Sequence, residues 1–137
     1  MKFKTALGKD PLEQGMRHYF EVRFIKGNNF KVGIATKKCL VDEAFSDSIH
    51  GWAYFSRGAL RYNSTVSGAE YGETFASGDL IGVYVDLVEG KISFSKNGVD
   101  FPVAYQNKEF LTLELYPACC SIKKDDVFES SKAYPED

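Results

Sequence analysis

Among the residues that could do chemistry, the carboxylates come first. Glycoside hydrolysis needs two acids about 5 to 9 Å apart across the scissile bond, and alternate residues of one strand could present them. The strand-like stretches offer Glu21 with no acid two residues away on either side, Asp86 at a strand end and Glu114 at a strand start. These are therefore expected to be solvated or turn-capping carboxylates. No G-x-S-x-G or other nucleophile context surrounds a serine, and His18 and His50 are isolated from each other. Asp42, Glu43 and Asp47 crowd one irregular stretch, but they lack the spacing and the closing glutamate of a calcium loop. No CxxC or paired Cys/His spacing suggests zinc. The expectation is a chain that is not an enzyme, with no catalytic residue, metal or cofactor.

What remains is recognition by aromatic and charged side chains. Phe45 lies among polar neighbours in the irregular stretch, so it is either an exposed anchor for a partner or a plug that pins the segment down. Trp52 follows Gly51 at the start of a strand pattern and is expected to pack. Arg57 and Lys123-Lys124 are candidate charge contacts, although each taken singly is more often ordinary solvated surface.

The elements that must position these residues are strands. From Leu80 to Leu87, Ile81, Val83, Val85 and Leu87 share one face, while Leu80, Gly82, Tyr84 and Asp86 share the other. Glu89-Gly90 reads as a two-residue hairpin turn into residues 91–96, where Ile92 and Phe94 again share a face. Asn97-Gly98 is a second turn of the same chemistry, sending a third strand toward 101–105, with Pro102 marking an edge or an irregular strand. Upstream, Phe20, Val22 and Phe24 alternate through residues 16–25. Phe30, Val32 and Ile34 alternate up to Thr36 after a Gly27-Asn28-Asn29 turn, as an antiparallel partner of that strand. Residues 37–50 form a long loop with a short helical turn at 41–45, and loops of this length are more often functional than idle. Strands are also expected at 52–55, 59–63, 113–121 and 126–130, about nine in all.

With 137 residues, 11 Phe and 8 Tyr, the chain is large enough for one self-sufficient core and favours sheet. The pattern is an all-β, antiparallel two-sheet β-sandwich burying Phe20, Val22, Phe24, Val32, Ile34, Ile81, Val83, Val85, Ile92 and Phe94. Residues 1–14 serve as an N-terminal strap, 15–130 as the domain and 131–137 as a loose tail. A net charge of -2 gives no global pull toward nucleic acid or acidic membrane, and no apolar run is long enough to span a bilayer. Three cysteines, an odd count, favour free thiols and an intracellular location, cytoplasmic or nuclear. Cys119 and Cys120 should face opposite sides of a strand, with Cys39 in the loop the most accessible of the three.

Seven pieces in order carry a resemblance: HYFEV at 18–22, VGIAT at 32–36, GWAY at 51–54, YGETF at 71–75, GDLIGVYVDL at 78–87, ISFSKNG at 92–98 and LYPAC at 115–119. Together they resemble a SPRY domain from about residue 15 to 130. The YGETF and ISFSKNG wording is similar to the SPRY insertions of a DEAD-box RNA helicase and of nuclear ribonucleoprotein scaffolds. Phe101-Pro102 departs from the family's usual Leu-Gly pair, and the segment before Gly15 is too short for the PRY region of larger modules. The resemblance implies a concanavalin-like jelly roll and a monomeric, non-catalytic adaptor that binds a short peptide or partner loop on its edge loops. It places the site where the loops after Thr36, before Gly51 and after Cys120 converge, at Thr36, Lys37, Phe45, Cys120, Ser121, Ile122 and Lys123. A single-stranded RNA-binding accessory domain is the alternative, although the basic residues are dispersed among acids. Lectin-like carbohydrate binding is a third, suggested by architecture alone.

Overall fold

The alternation beginning at Leu80 forms one strand of a hairpin. In the computed structural model, which describes residues 4–27, 29–39, 43–64, 68–121 and 128–132, strand β6 (Leu80–Asp86) pairs antiparallel with β7 (Lys91–Lys96). The register ends at Asp86↔Lys91, so residues 87–90 make a four-residue connection in place of the two-residue turn read from Glu89-Gly90. Asp86 is the physical reason. Its Oδ1 accepts from the N–H groups of Val88 and Glu89, both at 2.9 Å, and this side-chain cap holds a longer loop together. Asn97-Gly98 is the expected two-residue turn, with φ of 51° and 85° and Lys96↔Val99 closing the ladder. The strand that leaves it, β8 (Val99–Gln106), carries Pro102 at the sheet edge with an irregular register, where a missing N–H is tolerated.

Nine further ranges complete the fold among the described residues: β1 (Lys4–Leu7), β2 (Arg17–Phe24), β3 (Phe30–Ala35), β4 (Gly51–Phe55), β5 (Ala59–Tyr62), β9 (Tyr116–Ser121), β10 (Phe128–Lys132) and 3-10 turns at Phe45–Asp47 and Lys108–Leu111. They build two five-stranded antiparallel sheets, β1-β9-β3-β4-β5 and β10-β2-β6-β7-β8. The expected β2–β3 hairpin is not formed: β2 pairs with β6 and β10, and β3 with β4 and β9. Alternation identifies the apolar face of a strand, not its neighbour, and two strands with strongly apolar faces are as well satisfied facing each other across the core. Phe24 and Phe30 do this at the crossover, their rings stacked at 4.0 Å. β10 continues through Ser131 and Lys132, which the sequence assigns to the tail, and β1 lies on β9 as an edge strand from the N-terminal strap.

All ten expected core residues belong to one buried cluster, joined by Trp52, Tyr54, Phe110 and Leu115. A second cluster lies on the outer face of the first sheet, where Ala35, Ala53, Ala118 and Cys120 present small side chains. Phe45 fills that socket, wholly buried. The segment that carries Phe45, residues 43–50, forms a second strap across this face, and it comes so close to β4 that a Cβ on Gly51 would stand 2.1 Å from the Phe45 carbonyl oxygen, so glycine is required there. The helical turn expected at 41–45 begins only at Phe45; Val41 and Asp42 are outside the described residues.

The strap also buries Lys31, which strand alternation would send to solvent. Its Nζ sits 3.6 Å from Asp47 Oδ1 and 5.3 Å from the centre of the Phe55 ring. Burial lowers its pKa, against the opposing pull of Cys120 and Asp47.

Cys119 points into the main core and Cys120 into the socket, on opposite faces as alternation requires. Cys39 is not the accessible thiol expected of a loop residue: it is tucked under the strap beside Phe45 and is 6% exposed. Burial pushes all three thiols up, Cys120 to about 12. A thiol reagent applied to native protein should therefore modify all three slowly, whereas in denaturant all three should react at the rate of free cysteine. Rapid stoichiometric labelling of Cys39 in native protein would show that the strap stands open in solution.

Candidate functional site

Where β3 ends and β4 begins, the sheet edge opens into a groove of about 370 Å³. Two chain segments wall it. Thr36, Lys37 and Lys38 leave β3, and Ile49 and His50 enter β4; the segment before β9 supplies Glu109, Leu113 and Glu114. The Thr36 N–H donates to the His50 carbonyl oxygen at 2.8 Å, which ties the first wall to the end of the ladder. The second wall is fixed from below. Asn107 Oδ1 accepts from the Glu109 N–H at 3.0 Å, and Gln14 Nε2 donates to the carbonyl oxygens of Phe110 and Leu113 at 2.7 and 2.8 Å.

Trp52 and Tyr62 stack at 5.1 Å between these walls, and Phe110 packs edge-on against Trp52 from the core side. Tyr62 is 40% exposed and Ile49 54% exposed, two large apolar side chains beside one concavity. Trp52 thus has the packing role expected of it while its edge lines the groove.

The electrostatics are mixed in sign. Tyr116 donates its hydroxyl to Glu114 Oε1 at 2.6 Å, and Lys37 Nζ stands 5.3 Å from the centre of the Tyr116 ring. The neighbouring Tyr116 side chain, helped by Glu114, raises the Lys37 pKa and keeps its ammonium charged.

Of the seven positions named from sequence, the structure brings Thr36 and Lys37 to the groove and separates Phe45, Cys120 and Ser121 from it. Phe45 is wholly buried, taking the plug alternative, and Cys120 is 3% exposed in the same socket. Ser121 pairs with Phe30 at the opposite end of β3 from Thr36. The reason is strand polarity: β9 runs antiparallel to β3, so the start of β9 lies beside the Thr36 end of β3 and Ser121 lies at the other end. Ile122 and Lys123 are outside the described residues. Ile49, Tyr62, Leu113 and Glu109 were missed. Ile49 and Tyr62 carried a weak signal, an apolar residue in a polar loop and an aromatic at a strand end; the irregular 107–115 segment carried none.

The SPRY domain family model matches residues 17–129. The Ran-binding proteins 9/10 homolog of Drosophila melanogaster is 36% identical over 107 residues, an alignment covering 73% of this chain and 10% of that protein. The chain thus spans about a tenth of the length of this curated relative. The crystal structure of the SPRY domain of human HERC1 has a TM-score of 0.74 at 20% identity, covering 96% of this chain and 82% of that one. A crystal structure of a human SPRY domain gives 0.75 at 22%, covering 94% and 84%. At these identities the structural likeness is one of fold.

Proposed function

The chain belongs to the SPRY domain family, in general a family of non-catalytic protein–protein interaction modules, and we propose that its groove over Trp52 and Tyr62 captures a short extended segment of a partner protein. The observation that carries this is the placing of exposed Ile49 and Tyr62 against one concavity. Its volume of about 370 Å³ suits a few side chains of an extended segment better than a globular surface. Thr36 and Lys37 are contacts in this proposal, while Phe45 and Cys120 act from beneath by holding the strap that carries Ile49 and His50. Phosphate is poorly served here, because Lys37 and Lys38 are matched by Glu109 and Glu114, and this weighs against direct RNA binding. The free, buried thiols support a reducing, intracellular setting.

The test is selection from a displayed library of random peptides on the wild-type domain, followed by titration against an Ile49→Asp, Tyr62→Ser double variant. Both side chains are substantially exposed, so the variant should keep its fold. Selected peptides should lose about 2 kcal/mol or more, the range of an interface hot spot. Peptides that bind the folded variant unchanged would place the site elsewhere.

A further inference from the structure

Building on the groove assignment, we propose that the captured segment is zwitterionic: an extended stretch with an acidic and a basic side chain at odd spacing, set among apolar residues. The two wall segments bring opposite charge, Lys37 and Lys38 on one and Glu109 and Glu114 on the other. One pair of these is already engaged within the domain. Tyr116 joins Lys37 and Glu114 at the β9 end, by its hydroxyl to the carboxylate and by its ring to the ammonium.

Lys38 and Glu109 are left over. Both are exposed, and neither side chain has an ion-pair or hydrogen-bond partner among the described residues. One unengaged cation therefore stands on one wall segment and one unengaged anion on the other, with Ile49 and Leu113 as the apolar members of the same two segments.

The geometry of an extended chain converts this into a spacing rule. Successive side chains point to opposite sides, so an acid and a base one or three residues apart address different walls, and the same two residues two apart address one wall. At odd spacing, a segment with two charges of one sign meets one attraction and one repulsion, which cancel. Each correctly placed exposed pair is worth roughly threefold in affinity, so an odd-spaced zwitterion should exceed a single-sign segment by about tenfold.

Fluorescent octapeptides provide the test, each with one Asp, one Lys, two Leu and otherwise Ser, permuted to odd or even spacing, beside versions with two Asp or two Lys at odd spacing. Odd spacing should bind the wild-type domain about tenfold more tightly than even spacing or either single-sign set, and added salt should shrink the difference. Lys38→Glu should shift the preference to two Lys, and Glu109→Lys to two Asp, each with an unchanged melting temperature. If the sets bind equally while the Ile49→Asp, Tyr62→Ser variant binds none, the spacing rule is wrong and the groove stands. If all sets bind that variant as well as wild type, or none binds wild type at millimolar concentration, the groove assignment fails and the inference with it.

Discussion

Replacing Phe45 by alanine should lower the unfolding free energy by about 3–5 kcal/mol, the range for deleting a fully buried aromatic ring. Phe45 is wholly buried among Ala35, Cys39, Ala44, Ala53, Ala118 and Cys120, short side chains that could fill little of the space it would leave, with Leu7 the one longer apolar side chain packed against this cluster among the described residues. Partial collapse of the strap would bring the loss toward the lower end. The strap also sets Asp47 against buried Lys31 and carries Ile49 and His50 to the groove, so peptide capture should fall although Phe45 touches no peptide. Phe45→Leu should retain most of both. Denaturant unfolding with an unchanged m-value measures the first effect, and titration of a captured peptide under native conditions the second. A loss below about 1 kcal/mol for the alanine variant would mean that the socket is not filled in solution.

The two faces of this strap explain what was legible in the sequence and what was not. The inward face of each strand could be read directly, because burial between two sheets imposes period two on Phe20, Val22 and Phe24 as on Ile81, Val83 and Val85. The Asn97-Gly98 turn was legible for the same kind of reason, since its positive φ values admit few residue types. Which strands are neighbours is a non-local property. Nothing in residues 17–35 says that β2 and β3 belong to different sheets, and strand polarity, decided only by the assembled sheet, puts the entry to β9 beside Thr36. The socket has a sequence trace, the run of small residues at Ala35, Gly51, Ala53, Ala118 and Cys120, but they are scattered over three strands and become a pocket only when those strands align. Hence Phe45 stayed ambiguous between anchor and plug. Lys31 shows the same limit: the alternation of Phe30, Val32 and Ile34 puts its side chain on the outer face, and the strap that covers that face lies elsewhere in the chain.

Alkaline pH should unfold this domain cooperatively before pH 12. The hydroxyl of Tyr54 donates to the Glu73 carbonyl oxygen, that of Tyr71 to the Pro102 carbonyl oxygen at 2.5 Å, and that of Tyr105 to those of Ala53 and Arg61 at 2.8 and 2.9 Å. Burial pushes Tyr54 and Tyr71 up to about 12, partly offset by backbone N–H groups that approach the same oxygens, and raises Tyr105 as well. Cys120 is pushed up to about 12, and burial raises Cys39 and Cys119 too. Each of these folded pKa values lies above its unfolded one, about 9 for a thiol and about 10 for a phenol. The unfolded chain therefore binds fewer protons throughout the interval, and stability falls as pH rises. The stabilisation is fully present below about pH 9, begins to fall as unfolded thiols ionise, and falls faster once unfolded phenols join them near pH 10. Every fully engaged group removes about 1.4 kcal/mol per pH unit. Lys31 acts in the other direction, since burial lowers its pKa and the unfolded chain holds the extra proton below 10.5, but it is one group against six. A total stability of about 5–15 kcal/mol is exhausted by such a slope within the window. The melting temperature should be nearly level from pH 7 to about 8.5 and then drop steeply, with Cys39→Ala removing part of the earliest decline. Tyrosinate absorbance checks the cause: the buried phenols should ionise together with unfolding, and their ionisation near pH 10 in a domain that stays folded would show that burial does not hold their protons.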